Sequence, residues 1–129
     1  MPNETAEGFI RMAEEDLNAL NDLRCFSFRS ANTACYLSQQ YAEKMIKAKL
    51  LLMGESVQYT HNLIHLLDYF DDTPDIEVAR EYGAILTSYE SRARYPRGKV
   101  RIFTPEEAEN AYEMALEIPY LIGLYNRPE

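Results

Sequence analysis

The chain has 129 residues, 47% of them hydrophobic and 12% aromatic, which excludes a disordered protein and favours one domain over residues 1–129. The formal net charge is −8, from 13 basic and 21 acidic side chains, so the surface as a whole is unsuited to nonspecific binding of nucleic acids or membranes. No stretch approaches the roughly 20 apolar residues of a membrane span or has the pattern of a signal peptide, and we expect a soluble cytoplasmic protein.

Helical spacing of apolar residues predicts a first helix that begins at Asn3 or Thr5 and ends at about Leu23. A short turn follows before the second helix. The two cysteines, Cys25 and Cys35, lie near this boundary and on a face of the second helix, without the spacing of a metal site. We expect both to be buried free thiols.

The second helix is the longest predicted element, from Arg29 to Gly54. Ser30 or Asn32 can cap its start, and Gly54 suits the position just past its end. Its apolar half spans about 180°, wider than the stripe of about 100° on an ordinary surface helix, which predicts contact with several neighbouring helices. This half extends to Leu52 and Met53. The polar half carries Gln39, Gln40, Glu43, Lys44 and Lys47.

Two further helices are predicted in the middle of the chain. Thr60 can cap a third helix over residues 61–70, whose apolar residues point mostly inward. Asp71 to Thr73 precede Pro74, which is typical of a helix start with proline at the first position. This fourth helix must end close to Tyr95, because a residue that precedes proline is disfavoured in the helical conformation.

The fifth helix has the clearest start signal in the chain. Thr104 and Glu107 have the spacing of a capping box, and Pro105 lies at the first helical position. Pro119 should end or kink this helix, with the apolar residues after it packed on the bundle. No stretch has the alternating pattern of a strand. The sequence therefore predicts an all-α, up-and-down bundle of about five helices.

The basic segment, defined as Arg92 to Arg101, is the one reversal of the acidic balance, with five basic residues and no acidic residue. Arg92 and Arg94 fall in the last turn of the fourth helix, where a cation gains about 0.3 to 1 kcal/mol from the helix dipole. An extended course beyond the helix would turn Val100 and Ile102 toward the core. Such a segment suits phosphate oxygens or single-stranded nucleic acid, while pairing with surface carboxylates is the structural alternative. The candidate binding residues are Arg92, Arg94, Tyr95, Arg97, Lys99 and Arg101.

Other candidate sites have weaker support. His61 and His65 are spaced as helical metal ligands, yet no third ligand accompanies them, and we expect His61 at a helix start, hydrogen-bonded to a neighbour. Glu43 and Lys47 have the spacing of a helical ion pair. Ser38 has no nearby base, and no glycine-rich phosphate loop is present. We therefore predict no catalytic residue, no metal and no cofactor.

With these residues in view, the chain resembles the HEPN domain family, the nucleotide-binding domain of higher eukaryotes and prokaryotes. The resemblance covers nearly the whole chain in the family's order, with Asn62 standing where aspartate is usual. It is carried by Ala13, Asp16 and Leu17, by the Gln39, Gln40, Ala42, Glu43, Lys44, Lys47, Ala48 series with Gly54, by Thr60, His61 and Leu63, by Arg94, Tyr95 and Pro96, and by Thr104, Glu106, Glu107 and Ala108.

The resemblance implies a helical bundle that commonly dimerises, often beside a minimal nucleotidyltransferase, and that is an RNase toxin in many members. The RNase members carry an arginine and a histidine separated by four to six intervening residues. The only histidines here are His61 and His65, and no arginine lies five to seven residues before either. No histidine follows the arginines of the basic segment. The signature is absent, and this divergent member is not expected to share the activity.

Three functions follow as hypotheses. The first is a non-catalytic homodimer that binds a nucleotide or an RNA phosphate through the basic segment, with Gln40 and Lys44 as possible additional lining. The second is an interaction module that partners a minimal nucleotidyltransferase in a pair of the toxin–antitoxin kind. The third is a divergent RNase that uses Arg92, Arg94 and Tyr95 without histidine.

Overall fold

The computed structural model describes residues 4–94 and 102–128, without the side chains of residues 90–94. These residues form five α-helices and no strand, which confirms the predicted all-α bundle. The helices are α1 (Ala6–Asp22), α2 (Ala31–Leu52), α3 (Leu63–Leu67), α4 (Pro74–Arg94) and α5 (Pro105–Leu121). No helix within the described ranges is long and apolar enough to cross a membrane.

Helix α2 is the centre of the bundle and contacts each of the other four helices. Helix α1 packs along it on one side, while α4 and α5 pack on others and α3 rests on α4. The core contains the fully buried Leu20, Met45, Ile46, Leu66 and Phe103. The prediction that α2 touches several neighbours is therefore confirmed.

The predicted polar half of α2 is wrong for three of its residues. Gln39, Glu43 and Lys47 are buried, because the surrounding helices and the loop before α3 cover them. Conversely, Leu52 and Met53 were placed on the apolar half and are exposed, since they lie where α2 ends. Most of the predicted apolar half is buried, including Tyr41, Met45 and Ile46, so the burial of α2 extends beyond the apolar arc to the polar stripe.

Three predicted helix starts are confirmed by hydrogen bonds. Thr5 accepts a bond from the Gly8 backbone before α1, and Thr73 accepts one from Ile76 before α4. The capping box of α5 is complete, with Thr104 and Glu107 each bonded to the other's backbone nitrogen.

The cap predicted for α2 has a different arrangement. Ser30 precedes the helix but makes no side-chain cap bond, since its hydroxyl accepts from the Ser27 backbone instead. Asn32 accepts a bond from the Phe103 backbone at 2.8 Å. At the other end, Gly54 follows the helix with φ of +86°, a left-handed conformation that suits glycine as predicted.

Helix α3 is shorter than the predicted range of 61–70, and its cap is Asn62 rather than Thr60. The Asn62 side chain accepts from the Ile64 backbone, whereas Thr60 accepts from the backbone of Asn62. The first residue of the helix, Leu63, donates its backbone N–H to Thr87 Oγ1 on α4 at 3.0 Å. This contact joins the start of α3 to α4.

Several smaller predictions also need correction. Helix α5 does not end at Pro119 but continues to Leu121, whereas the apolar residues after Pro119 pack on the bundle as predicted, with Leu121 and Ile122 buried. The chain beyond folds back so that two backbone N–H groups donate to the Pro119 carbonyl. Cys35 is buried but Cys25 is exposed, and both thiols are free. Ile102 is 64% exposed, so it does not face the core as expected.

Candidate functional site

The structure describes the chain up to the predicted phosphate site. Helix α4 is described as far as Arg94, so the backbone of Arg92 and Arg94 belongs to it, while the predicted stop close to Tyr95 falls outside the described residues. The other candidate residues, Arg97, Lys99 and Arg101, together with Tyr95, lie outside the described residues, as do the side chains of the two helical arginines. Their assignment stays a prediction.

The residue that rejoins the described chain after the basic segment is tightly held. Phe103 is fully buried and packs edge-on against Tyr89 of α4, with ring centroids 4.9 Å apart. Its backbone N–H donates to Asn32 in the first turn of α2. The basic segment therefore connects the end of α4 to an anchor between α4 and the start of α2.

A buried polar stripe on α2 is the main charged feature of the described chain. Gln39, Glu43 and Lys47 follow one another at intervals of one helical turn. The Glu43 side chain is 6% exposed, and its two oxygens accept from Gln39 Nε2 and from Lys47 Nζ, each at 3.0 Å. Gln40 donates to the Gln39 amide oxygen at 2.7 Å. The carboxylate charge is thus neutralised inside the bundle.

His61 joins this stripe from the loop before α3. Its Nδ1 lies 2.8 Å from Glu43 Oε1, and its backbone carbonyl accepts from Gln39 Nε2 at 3.2 Å. The imidazole itself is 61% exposed. We call Gln39, Gln40, Glu43, Lys47 and His61 the Glu43 network. The network ties a surface histidine to a buried carboxylate.

The two predicted lining residues of α2, Gln40 and Lys44, have different partners. Lys44 forms an ion pair with Asp16, and both side chains are 15% exposed. Burial raises the pKa of Asp16, while the hydrogen bond and charge of Lys44 act in the opposite direction. Gln40 is engaged with Gln39, and a role for Gln40 and Lys44 beside the basic segment stays a prediction.

The geometry of the Glu43 network determines which ring nitrogen of His61 carries the proton. Because an ionised carboxylate only accepts hydrogen bonds, Nδ1 of His61 is the protonated nitrogen and Nε2 carries the lone pair in the neutral ring. Within residues 4–94 and 102–128, no protein group bonds Nε2. No group of three His, Cys, Asp or Glu residues in these ranges could hold a metal ion.

Sequence reasoning identified part of this network. The Glu43 and Lys47 pair and the hydrogen bond from His61 to a neighbour are both confirmed. The sequence did not predict that Glu43 and Lys47 are buried or that His61 bonds to Glu43, because His61 and Glu43 are 18 residues apart along the chain. The repeated one-turn spacing of Gln39, Glu43 and Lys47 was the available signal, since it aligns donor, acceptor and donor on one stripe.

Comparison with known proteins places the chain among relatives of the same architecture. The family model for the HEPN domain matches residues 6–122. TT1696 from Thermus thermophilus has a similar crystal structure, with 27% identity, a TM-score of 0.77 and coverage of 92% of this chain and 96% of its own. ST0689, described as an archaeal HEPN homologue, is 25% identical with a TM-score of 0.73, covering 94% of this chain and 98% of its own. No curated protein matches the chain.

Proposed function

The chain belongs to the HEPN domain family, and from this membership and its charge pattern we propose that it binds a nucleotide or RNA phosphate through the basic segment, as a homodimer and without catalysis. The observation that carries the proposal is the charge of that segment. Subtracting its five positive charges from the net charge of −8 leaves −13 on the remaining residues. A phosphate ligand is therefore attracted to one place on the chain and repelled elsewhere.

The position of the segment supports this proposal. The backbone of Arg92 and Arg94 belongs to helix α4, and the buried Phe103 anchors the chain after the segment. Cations held between two anchored points lose less conformational freedom on binding than cations on a free tail. Arginine also contacts phosphate through two parallel hydrogen bonds, which favours it over lysine for this role.

The non-catalytic part of the proposal rests on the sequence signature. RNA cleavage without a metal needs a base and an acid near the reacting oxygens, and the arginine and histidine pair of the RNase members is absent here. Cleavage of cellular RNA by the purified protein, at a rate comparable with that of a relative bearing the signature, would overturn this part and favour the divergent RNase.

Binding of ATP, GTP and a short labelled RNA tests the site assignment. The variant with Arg94→Ala and Arg97→Ala should lose binding, because each charge-assisted hydrogen bond contributes about 1.5 to 3 kcal/mol. The matched control carries Arg11→Ala and Arg29→Ala, which removes the same charge from two exposed positions on α1 and before α2. Equal binding by the two double variants would overturn the assignment, and size-exclusion chromatography with light scattering tests the homodimer.

A specific surface favours the second candidate function, an interaction module for a minimal nucleotidyltransferase. A groove of about 380 Å³ lies between α4 and α5, with Ile85 and Met114 among the residues that line it. Glu113 and Glu117 line it on the α5 side. A groove that combines apolar and acidic side chains suits a basic, partly apolar protein segment. Copurification of a nucleotidyltransferase, lost when Ile85→Asp is introduced, would support this function over ligand binding.

A further inference from the structure

The groove between α4 and α5 has an apolar wall and an acidic wall. On the α4 side, Tyr82 and Ile85 are about one helical turn apart, and Ile85 is 44% exposed. On the α5 side, Glu113 and Glu117 are about one turn apart, with Met114 between them. Within the part of the chain that the structure describes, no residue that lines the groove is basic. The groove therefore offers apolar surface and negative charge side by side.

The carboxylates of the acidic wall are only partly neutralised by the chain itself. Glu113 is exposed and forms no hydrogen bond or ion pair with another described residue. Glu117 accepts from Arg127 at 2.9 Å, and the guanidinium of Arg127 also lies over the Tyr120 ring. One carboxylate beside the apolar wall thus has no cation of its own. Charge complementarity favours an occupant that carries lysine or arginine next to apolar side chains.

The walls of the groove consist of helix side chains, which favours a helical occupant. The backbone groups of α4 and α5 are bonded within their own helices in this region. An extended segment would find no backbone partners there and would leave its own buried N–H and C=O groups unpaired. A helix bonds its backbone internally and presents side chains every three to four residues. Glu113 and Glu117 are about 6 Å apart along α5, which matches two cations one turn apart on such a helix.

We propose that the groove between α4 and α5 binds an amphipathic helix of a protein partner, whose apolar residues pack on Ile85 and Met114 and whose basic residues face Glu113. A second basic residue, one turn away on the bound helix, faces Glu117. The inference rests on the interaction module proposed above as the second function, and it adds the conformation and the charge of the bound segment. Apolar packing around Ile85 supplies affinity, while the charges at the rim select the partner.

Selection from a phage-displayed library of random peptides, each of about 16 residues or four helical turns, tests the inference with the purified chain as bait. We expect the enriched peptides to carry two lysine or arginine residues three or four positions apart, beside apolar residues at helical spacing. Basic residues enriched two positions apart, the period of an extended strand, would overturn the helical form of the occupant. No enrichment, or enrichment of acidic peptides, would overturn the inference as a whole.

Variants of the groove show whether the selected peptides bind there. In fluorescence anisotropy with a labelled peptide, Ile85→Asp should lower affinity at least about ten-fold. The matched control Leu52→Asp, at a residue 63% exposed where α2 ends, should leave affinity unchanged. Glu113→Gln should lower affinity about two- to five-fold at low salt, whereas Glu7→Gln on α1 should not. Equal losses in the groove variants and their controls would overturn the inference.

A charge reversal tests the contact with Glu113 separately from the apolar wall. When the selection is repeated with Glu113→Lys as bait, one basic position of the enriched peptides should become aspartate or glutamate, because a like charge is now rejected there. An unchanged preference for basic residues would overturn the assignment of Glu113 to the bound helix.

The oligomeric state distinguishes this partner from a second copy of the chain. Light scattering should give the same mass for wild type and Ile85→Asp. Conversion of a wild-type dimer to a monomer by Ile85→Asp would mean that a second copy covers the groove, and would overturn the inference. Copurification of a nucleotidyltransferase that depends on Ile85, without selection of basic helical peptides, would overturn the inference and leave the second function standing. Selection of such peptides without copurification would overturn the nucleotidyltransferase alone.

Discussion

Removal of the Glu43 carboxylate should destabilise the bundle more than any surface charge change. In Glu43→Leu, the Lys47 ammonium loses its acceptor while its side chain is only 8% exposed, and Gln39 and His61 lose theirs as well. Breaking a buried ion pair by removing one partner costs about 3 to 5 kcal/mol, because the other charge is left unpaired. We expect the free energy of unfolding to fall by about that amount.

The double variant Glu43→Leu with Lys47→Met provides the internal comparison. It removes both charges and keeps apolar volume on the stripe, so it should be more stable than Glu43→Leu alone. The matched surface control is Asp72→Asn. Asp72 lies 2.6 Å from Arg80, closer than the buried pair, but is 78% exposed, and its loss should cost at most about 1 kcal/mol.

Urea unfolding followed by circular dichroism measures these differences. A cost for Glu43→Leu no greater than that of Asp72→Asn would refute the reasoning, as would a double variant less stable than the single one. The first result would mean that Lys47 reaches water without its partner. The second would mean that the Lys47 side chain stabilises the fold even without the Glu43 carboxylate, so that it is not an unpaired buried charge in the single variant.

Three further predictions use the same urea assay. Burial raises the pKa of Asp16, so the folded chain holds the carboxyl proton to higher pH than the unfolded chain does. The free energy of unfolding of wild type, relative to that of Asp16→Asn, should therefore fall as the pH rises above 3.8, and an increase of this difference with pH would contradict the prediction. Gly83→Ala should lower the free energy of unfolding by about 1 kcal/mol, because the new Cβ would lie 3.2 Å from Leu67 Cδ1 and this close contact outweighs the higher helix propensity of alanine. A more stable variant would show that the Leu67 side chain or α3 can move away at little cost. Thr104→Ala should cost about 1 kcal/mol and Thr104→Ser less, whereas equal losses would argue against the capping bond.

Local signals predicted the fold well because they act within a few residues. The starts of α1, α4 and α5 depend on Thr5, Thr73 and Thr104, each of which bonds a backbone N–H three residues later. The start of α3 was missed for the opposite reason. Thr60 and Asn62 are both suitable caps, and the Asn62 cap is accompanied by a bond from Leu63 to Thr87 on another helix, which the local sequence does not specify.

The candidate site was predicted only where composition or one-turn spacing revealed it. The basic segment was recognisable from charge alone, and the Glu43 and Lys47 pair from its spacing. The helical wheel nevertheless assigned this pair to solvent, because a wheel represents one helix and cannot show that α2 is surrounded. His61 reaches Glu43 across a loop, so the network became apparent only in three dimensions.

The central claim, phosphate binding by the basic segment, is tested most directly by the salt dependence of RNA affinity. If three to five cations contact phosphates, the logarithm of the binding constant should fall with the logarithm of salt concentration at a slope of about −2 to −3.5 for single-stranded RNA. The variant with Arg94→Ala and Arg97→Ala should have a slope about 1.4 smaller in magnitude. A slope near zero in the wild type, or the same slope in both proteins, would contradict the account.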